Sequence, residues 1–468
     1  MPKTINKSLI LSALLFLTGC ASFSPDSGLE LAQRTAQQHL KQELVWVRTS
    51  EQSQQRDQQV DALLKQTLSV DQAVQIALMN NAGLQAAFEE LRQVEAEVVQ
   101  AGRLPNPGFS FAKLKRGDEI EWERGLHFNL TRWLTIPWVS RLETRRFEQA
   151  RRDLALSVLR LATETRQAYF RAVAAEETAR YMRQVREVAE ASAELARRMA
   201  QTGNFSRLSQ AREQAFYAEA ALNQARAEQQ RLQTREQLIR LLGLWGTQTQ
   251  FQLPERLPDL PRTVREQLDV EQLAMQQRLD LQGMKQQTEA LAGYMGLSRA
   301  TRFINVLEVG YAYNSSNEAP KQRGWEVSFE LPLFDFGQAR VEKAEAVYWQ
   351  AAHRLHQQAV NARSEVREAY FHYRSQYDIA KHYRDEIVPL RKQIAEENLL
   401  RYNGMLIGVF DLLAETRMQI MSVSSAIEAL RDFWLAESQL QMALLGKPGS
   451  LGVMAPSTAP MAKDEKGH

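Results

Sequence analysis

Two stretches of the chain alternate apolar and polar residues with the period of two that is typical of β-strands. They cover residues 107–131 and 303–334, and a turn-like run, "RGDE" in the first and "SSNEAPKQR" in the second, divides each of them. The predicted strands lie at about 107–115, 120–131, 303–314 and 324–334. The pattern therefore predicts two β-hairpins, each with one apolar and one polar face.

The two faces of these hairpins differ in chemistry. The apolar face carries the aromatic residues Trp122, Tyr311, Tyr313 and Trp325. The polar face carries Glu121, Glu123, Glu308, Glu326 and Glu330, with His127 as the nearby base. A half-buried sheet of a soluble protein alternates in the same way. The pattern alone thus leaves open a soluble sandwich and a membrane barrel whose lumen is acidic.

Two other stretches predict very long helices. Residues 139–200 contain no proline or glycine, and residues 338–403 contain only Pro389. About sixty helical residues span roughly 90 Å, more than a globular core requires. From Leu154 onward, apolar and small residues follow the four-three spacing of a coiled-coil seam, which fails at Arg186. We expect Pro389 to kink its helix or to mark a change of packing.

The order of these elements occurs twice, which predicts a duplication. "LSVDQ" at 68–72 returns as "LDVEQ" at 268–272, and "ETRQAYF" at 164–170 returns as "EVREAYF" at 365–371. Three further pairs keep nearly the same offset. The predicted organisation is a signal at 1–19, a lead segment at 20–67, repeat 1 at 68–246, a proline-containing linker at 247–267, repeat 2 at 268–446 and a disordered tail at 447–468.

The first residues resemble a bacterial lipoprotein signal. A basic start is followed by an apolar run that is too short to span a bilayer, and then by "LTGC", which ends at Cys20. Cys20 is the only cysteine, so no disulfide forms within the chain. We expect acyl chains such as palmitate on Cys20, and Ala21 behind it favours the outer membrane. The alternative is an ordinary secretory signal with a chance cysteine.

Composition narrows the class of protein. The formal net charge is +2, which gives no reason to expect a nucleic-acid partner. After the signal no run of 18 apolar residues occurs, so no membrane-spanning helix is predicted. A closed β-barrel is the other structure that lipid permits. Four strands are too few for such a barrel, so it must be shared, with eight strands from two chains or twelve from three.

Four motifs carry a resemblance to a known family. They are "PNPGFSF" at 105–111, "GNFSRLSQARE" at 203–213, "LPLFDFGQAR" at 331–340 and "RYNGMLIGVFDLL" at 401–413. In their order and duplication they resemble the outer membrane efflux protein (TolC) family over residues 68–446. The resemblance implies a mainly α protein with a membrane β-barrel. Its homotrimer would form a twelve-stranded outer-membrane barrel, continued by a long α-helical coiled-coil tunnel in the periplasm.

The resemblance also implies a function and partners. Such a protein is a passive conduit and not an enzyme, and it uses no cofactor besides the lipid on Cys20. It docks onto a periplasmic adaptor (membrane fusion) protein that joins it to an inner-membrane pump, and small molecules or ions leave through it. Its barrel contacts outer membrane lipid. From the acidic lumen we expect a preference for cations, which neutralising Glu308 and Glu330 should lower.

The helix breaks near residues 203 and 404 would form the periplasmic tip and gate. Gly203, Gly404 and Gly408 are expected to permit the tight reversals. By resemblance, Asp411 would ring the closed end; Ser209 stands at the same place in repeat 1. Arg401 opens the second motif, and Ile407 replaces an arginine that locks the tip in some relatives. Alternatively, Asp411 is only a first-turn acid of its helix.

Two other classes of protein remain open at this stage. A lipid-anchored coiled-coil spacer of the periplasm that conducts nothing would show the same long helices. A periplasmic enzyme or solute receptor would need a site, and the chain has no phosphate loop, HExxH or nucleophile motif. His353 and His356 share a helix face, but no set of three or four metal ligands stands out.

Overall fold

A computed structural model describes residues 22–264, 266, 269–300, 307–329 and 336–447. Cys20, Glu330, the signal and the C-terminal tail lie outside these ranges, so the predictions made for them stay predictions. The described residues are mostly helical, with four strands in two pairs.

The described part of the first half of the chain contains six helices and two strands. They are α1 (Glu30–Thr35), α2 (Ser50–Leu64), α3 (Val70–Asn80), α4 (Ala82–Ala101), β1 (Gly108–Arg116), β2 (Glu119–Asn129), α5 (Leu130–Gln201) and α6 (Arg207–Leu242). A π-helical turn, Ala36–Leu40, extends α1, and a 3₁₀ turn, Gly246–Thr249, follows α6.

The second half follows the same order. Its elements are α7 (Val270–Gln277), α8 (Leu279–Ala300), β3 (Leu307–Ser316), β4 (Gln322–Phe329), α9 (Gln338–His382), α10 (Val388–Asn403) and α11 (Val409–Leu445). A π-helical segment, Tyr383–Ile387, joins α9 to α10.

The four strands form one antiparallel sheet in the order β1-β2-β3-β4. β2 pairs with β3 across the two halves of the chain, with Leu126 opposite Tyr311. Each outer strand is paired on one side only among the described residues. The sheet therefore has two open edges, each with a row of backbone groups that need partners.

Helix α5 begins earlier than the sequence predicts. The alternation suggests a strand up to residue 131 and a helix from 139, whereas β2 ends at Asn129 and α5 begins at Leu130. Pro137 lies inside the helix, eight residues in. Proline has no N–H to donate, so the helix lacks one backbone hydrogen bond at this position.

The predicted seam of α5 is buried, and it continues further than expected. The nine predicted seam positions run from Leu154 to Met182 in four-three spacing, and all but Met182 are buried. The eight buried positions are Leu154, Val158, Leu161, Thr165, Ala168, Ala172, Ala175 and Ala179. The seam is interrupted at Arg186, as predicted: Arg186 is half-buried, and Val185 beside it is buried instead. The prediction that the seam stops there is wrong, because it resumes in the same four-three register at Ala189, Ala193 and Ala196.

Pro389 lies where the helical hydrogen bonding changes. Tyr383–Ile387 is a π-helical segment, and Pro389 follows in the first turn of α10. Proline has no N–H to donate, and its ring crowds the preceding turn, so a locally wider helix accommodates it. The sequence predicted a kink or a change of packing at Pro389, and the structure has a change of helix type directly before it.

The chain divides into two compact units, each assembled from separate segments. The first unit falls within Met1–Leu31, Ala87–Leu154 and Asp280–Ala359 and includes the sheet. Its lead segment is fixed on α4, where buried Glu95 accepts hydrogen bonds from the backbone N–H of Ser24, at 2.6 Å, and from its hydroxyl.

The second unit falls within Ala32–Ala86, Ala155–Leu279 and Val360–His468. The buried Tyr169 hydroxyl donates to the Leu68 carbonyl at 2.9 Å, and burial raises the pKa of Tyr169 to about 12. Arg278 is fully buried and forms a 2.8 Å ion pair with Glu365. The first contact joins the start of the predicted repeat 1 to α5, and the second joins the start of the predicted repeat 2 to α9.

The small residues of the seam are required for close packing of the helices. Ala172→Leu inserts a larger side chain at a position that is 2% exposed. We expect it to lower the free energy of unfolding by about 1–3 kcal/mol. Ala191→Leu, on an exposed position of the same helix, should change it by less than about 0.5 kcal/mol. Chemical unfolding of both variants measures the difference, and equal effects would show that α5 has no seam at residue 172.

Candidate functional site

The sheet places the predicted glutamates on one face. Directly paired residues of antiparallel strands point to the same side. Glu308 is opposite Asn129, and Glu326 is opposite Gly310, which is itself opposite His127. Glu121 and Glu123 occupy the same face of β2 nearer the turn. The register thus joins four of the five predicted glutamates, and Glu330 lies outside the described residues.

His127 lies in a niche that two glycines leave open. Its Nε2 atom is 2.9 Å from the Ser110 hydroxyl. A Cβ added at Gly310 would come within 3.2 Å of its Nδ1 atom, and one at Gly125 would meet its Nε2 at 2.7 Å. Side chains larger than hydrogen at these positions would displace the imidazole. The two glycines therefore leave room for the His127 imidazole to lie against the sheet.

The opposite face is apolar and exposed. Tyr311 and Trp325 are cross-strand partners with ring centroids 5.1 Å apart. Phe111 and Trp122 make a second aromatic pair at 5.4 Å. Trp325 is 75% exposed although it is large and apolar. In most proteins, a large exposed apolar patch contacts lipid or another protein.

Two tryptophans that the sequence interpretation did not single out extend this aromatic surface. Trp133 and Trp138 lie at the start of α5 and are each 42% exposed. The Trp133 ring is 6.3 Å from that of Phe128, at the end of β2. Aromatic residues therefore occur at both ends of the strands. Both tryptophans stand in "TRWLTIPW" at 131–138. The sequence pattern predicted the end of a strand and a break there, whereas the structure has the first turns of α5.

The two ends of the helical hairpins have one geometry. In the first, the backbone N–H groups of Gly203 and Asn204 donate to the carbonyls of Ala200 and Met199. This is a Schellman motif, in which the residue after the helix takes a left-handed conformation. Gly203 has φ +80°, and a Cβ there would meet nothing within 4 Å. The expected role of Gly203 in the reversal is present in the structure.

The second hairpin end repeats this motif with a different residue. Met405 donates to the Tyr402 carbonyl and Leu406 to that of Arg401. The left-handed residue is Met405, with φ 57°. Gly404 has φ −80°, so the prediction that Gly404 permits the reversal is wrong. Among the described residues Gly408 also has no positive φ, and the same correction applies to it. The glycine lies one position too early to take the strained conformation.

Ser209 and Asp411 occupy equivalent positions at the starts of α6 and α11. Ser206 caps α6 by accepting a hydrogen bond from the Ser209 N–H at 3.1 Å. Gly408 stands at the corresponding place before α11 and has no side chain to cap it. Asp411 is the third residue of α11, where a carboxylate stabilises a helix N-terminus. Its side chain is outside what the structure describes, so the gate prediction for it stays a prediction.

Arg401 pairs with its own helix. Its Nε atom is 3.6 Å from Glu397, one turn earlier, and both side chains are more than half exposed. Arg198 pairs with Glu194 in the same way in the first hairpin, and hydrogen bonds from Arg197 and Arg198 lower the pKa of Glu194 to about 2. Exposed pairs of this kind contribute little to stability.

The residue that connects the two hairpins was missed by the sequence interpretation. Glu213 of α6 is 2% exposed and accepts a hydrogen bond from Ser192 of α5 at 3.0 Å. It also forms a 3.4 Å ion pair with Arg417 of α11, whose guanidinium lies 4.2 Å from the ring centre of Phe216. One carboxylate of α6 therefore links its own helix to α5 and to α11, which belong to different halves of the chain.

The spacing of α6 carried a signal for Glu213. Its buried residues Glu213, Ala220, Ala227 and Thr234 recur every seven positions. The three later members are small and follow a coiled-coil seam. A glutamate at the first position of that series is a polar residue on a packing surface. A buried carboxylate needs a partner of opposite charge, which the half-buried Arg417 supplies.

The hairpin ends expose apolar side chains. Met405 is 93% exposed, Leu406 is 77% exposed and Leu208 is 64% exposed. Three such residues at the tips form an apolar surface that is suited to contact with another protein.

The described residues show no other chemical centre. Within them no group of three or more His, Cys, Asp or Glu side chains converges in a way that would hold a metal ion. His382 contacts Glu386 one turn away, with 3.2 Å between Nδ1 and Oε2. None of the described helices is both long and apolar enough to cross a membrane.

Solved structures share this fold. The outer-membrane protein VceC of Vibrio cholerae aligns with a TM-score of 0.66 and 15% identity, over 81% of this chain and 97% of that one. The open state of the MtrE outer membrane channel of Neisseria gonorrhoeae gives 0.66 and 18%, over 81% and 89%. The CmeC outer membrane channel of Campylobacter jejuni gives 0.64 and 17%, over 86% and 89%. No protein-family model and no curated protein sequence matches the chain. The likeness shows the mainly helical fold that the sequence motifs led us to expect, while the shared twelve-stranded barrel stays a prediction.

The backbone strain at Met405 gives a local prediction. A left-handed conformation costs a residue with a Cβ about 1 kcal/mol, and glycine avoids this cost. Met405→Gly should therefore slow hydrogen exchange of the Leu406 amide about fivefold. Gly203→Ala should speed exchange of the Asn204 amide by a similar factor. Gly404→Ala, where φ is negative, is the control and should change little; a larger effect there than at Met405 would contradict the assignment.

The contact between Glu213 and Arg417 gives a second prediction. Arg417→Ala leaves the buried carboxylate with Ser192 alone. We expect a loss of about 1–2 kcal/mol in the free energy of unfolding. Arg401→Ala removes an exposed pair and should cost at most about 0.5 kcal/mol. Chemical unfolding of the solubilised protein measures both variants. An Arg417 variant as stable as the Arg401 variant would show that the ion pair does not hold the hairpins.

Proposed function

We propose that this protein is the outer-membrane channel of a tripartite efflux or export system, a passive conduit from a periplasmic adaptor and an inner-membrane pump to the exterior. The observation that carries the proposal is the sheet. Its apolar, aromatic face is exposed, its other face is acidic, and its two outer edges are open. A sheet with these properties is suited to closing with copies of itself in lipid.

The number of strands supports a shared barrel. Single-chain outer-membrane barrels begin at about eight strands, and one chain here supplies four described strands. Three chains would supply twelve. The likeness to solved outer-membrane channels, two of which are called channels in their own descriptions, favours this trimer. The aromatic residues at both ends of the strands fit the two interfaces of a membrane.

The same closure would turn the acidic face inward. Glu121, Glu123, Glu308 and Glu326 would then form rings around a water-filled lumen, as would Glu330 from the sequence. Rings of carboxylates favour cations over anions. We propose that the exported species are small molecules or ions, and that cations pass the barrel more readily than anions.

The helical hairpins would form the periplasmic end. Their exposed apolar tips offer a surface for the adaptor, and the buried Glu213–Arg417 contact holds the two hairpins of one chain together. Acyl chains on Cys20 would add a lipid anchor, in accordance with the signal pattern. A non-conducting coiled-coil spacer is the other reading of the long helices, and the exposed aromatic face of the sheet argues against it.

Conductance tests the proposal directly. The purified protein is reconstituted in a planar lipid bilayer, and single-channel current is recorded under a salt gradient. We expect discrete current steps and a reversal potential on the cation-selective side. Arg417→Ala should raise the open probability, because it frees the hairpin ends. Absence of steps in both proteins would favour the spacer.

Neutralising the acidic face tests the lumen. Glu308→Gln combined with Glu326→Gln should move the reversal potential toward zero, because two carboxylates per chain lose their charge. Glu318→Gln removes one carboxylate from the exposed turn between β3 and β4 and serves as the control. Unchanged selectivity in the double variant, with intact conductance, would show that this face does not line the pore.

A further inference from the structure

Most charges of the sheet are separated by face. Four of the five Lys and Arg residues of the described strands lie on the apolar face, as their cross-strand partners show; they are Lys113, Lys115, Arg124 and Arg323. The fifth, Arg116, is opposite Glu119 on the acidic face. The strand carboxylates among the described residues lie on the other face. The apolar face therefore carries four positive charges and no negative one within the described strands.

These cations occupy only one end of the apolar face. β2 continues directly into α5, so the turn at Gly117 marks the end of the sheet farther from that helix. The row Phe111–Arg124–Tyr313–Arg323 and the rows nearer the turn contain the cations. The next row toward the helix, Phe109–Leu126–Tyr311–Trp325, is entirely apolar or aromatic. A basic rim thus borders an apolar band.

Aromatic rings hold the cations close to the sheet. The Lys113 ammonium lies 4.8 Å from the centre of the Trp122 ring. The guanidinium groups of Arg124 and Arg323 lie 5.7 Å and 5.9 Å from the centre of one ring, that of Tyr313. The structure gives none of these three cations an ion pair with a described carboxylate. Cation–π contacts at exposed sites are weak, so they compensate little for two like charges that lie on either side of the same tyrosine.

The arrangement matches a phosphate-bearing ligand that also has an apolar part. Guanidinium groups bind phosphate oxygens in bidentate fashion. Basic residues beside an interfacial aromatic belt attract anionic lipid. An anion placed between Arg124 and Arg323 would neutralise both, while its acyl chains would cover Leu126 and Trp325.

We propose that the basic rim, defined as Lys113, Lys115, Arg124 and Arg323, binds the phosphate headgroup of an anionic lipid at the membrane surface reached by the strand turns. The inference rests on the proposed function, because it requires the apolar face to meet lipid. It adds a specific lipid contact to the barrel, with Arg124, Tyr313 and Arg323 as its centre.

Lipid selectivity tests the rim. The full chain is reconstituted in phosphatidylcholine vesicles that contain a trace of spin-labelled lipid, either phosphatidylcholine or phosphatidic acid. Electron paramagnetic resonance separates the lipid that the protein immobilises from free lipid and gives the relative association constant of the two probes. We expect the wild-type protein to prefer phosphatidic acid about fivefold, the factor that one interfacial cation supplies.

Variants assign the preference to the rim. Arg124→Gln and Arg323→Gln should each lower it about twofold or more, and together they should bring it close to one. Arg116→Gln is the matched control, since Arg116 is opposite Glu119 on the other face near the same turn. It removes one positive charge and should leave the preference unchanged. Circular dichroism and single-channel conductance show whether each variant folds and assembles.

The outcomes separate this inference from its premise. Immobilised lipid without headgroup preference, or an equal loss in the Arg116 variant, overturns the rim while the channel stands. Absence of any immobilised lipid overturns both, because the apolar face would then not meet the bilayer. Preference that disappears only in the Arg124 and Arg323 variants supports the rim.

Discussion

The two open edges of the sheet are the constraint on which the rest of this molecule depends. Backbone groups at the outer edges of β1 and β4 have no partner among the described strands, and lipid would offer them none. In the proposed barrel, pairing edge to edge with further copies would remove this cost and make each chain a fraction of the assembly. The two different faces of the sheet and the aromatic residues at both strand ends are suited to such an assembly.

The two halves of the chain contain similar hairpin pairs, and the differences between these pairs are as informative as their likeness. Both helical hairpins end in the same hydrogen-bonded motif, yet the left-handed position is Gly203 in one and Met405 in the other. Ser206 caps one returning helix, while Gly408 precedes the other. The buried Glu213 has its partner, Arg417, in the opposite repeat. The halves have therefore become complementary instead of interchangeable.

Sequence periodicity predicted the elements well where one local rule governed them. Alternation located all four strands and both faces, and the four-three spacing located the buried side of α5. It failed where packing from distant residues decides. The burial of Val185 in place of Arg186 and the onset of α5 at Leu130 follow no local periodicity of the sequence. The strained Met405 has a permissive glycine beside it, which drew the prediction to the wrong residue. The Glu213–Arg417 pair joins residues 204 positions apart, beyond the reach of any local pattern.

The separation of charge by face also bears on how the strands find their alignment. Sliding β4 by one residue along β3 would exchange its faces, setting Glu326 among aromatic side chains and Trp325 among the acidic ones. A carboxylate on the apolar face and a tryptophan on the polar face are both unfavourable, so a misaligned pairing is destabilised on both faces. The side chains that give the sheet its two surfaces would therefore also favour the native strand register during folding, before the edges of neighbouring chains pair.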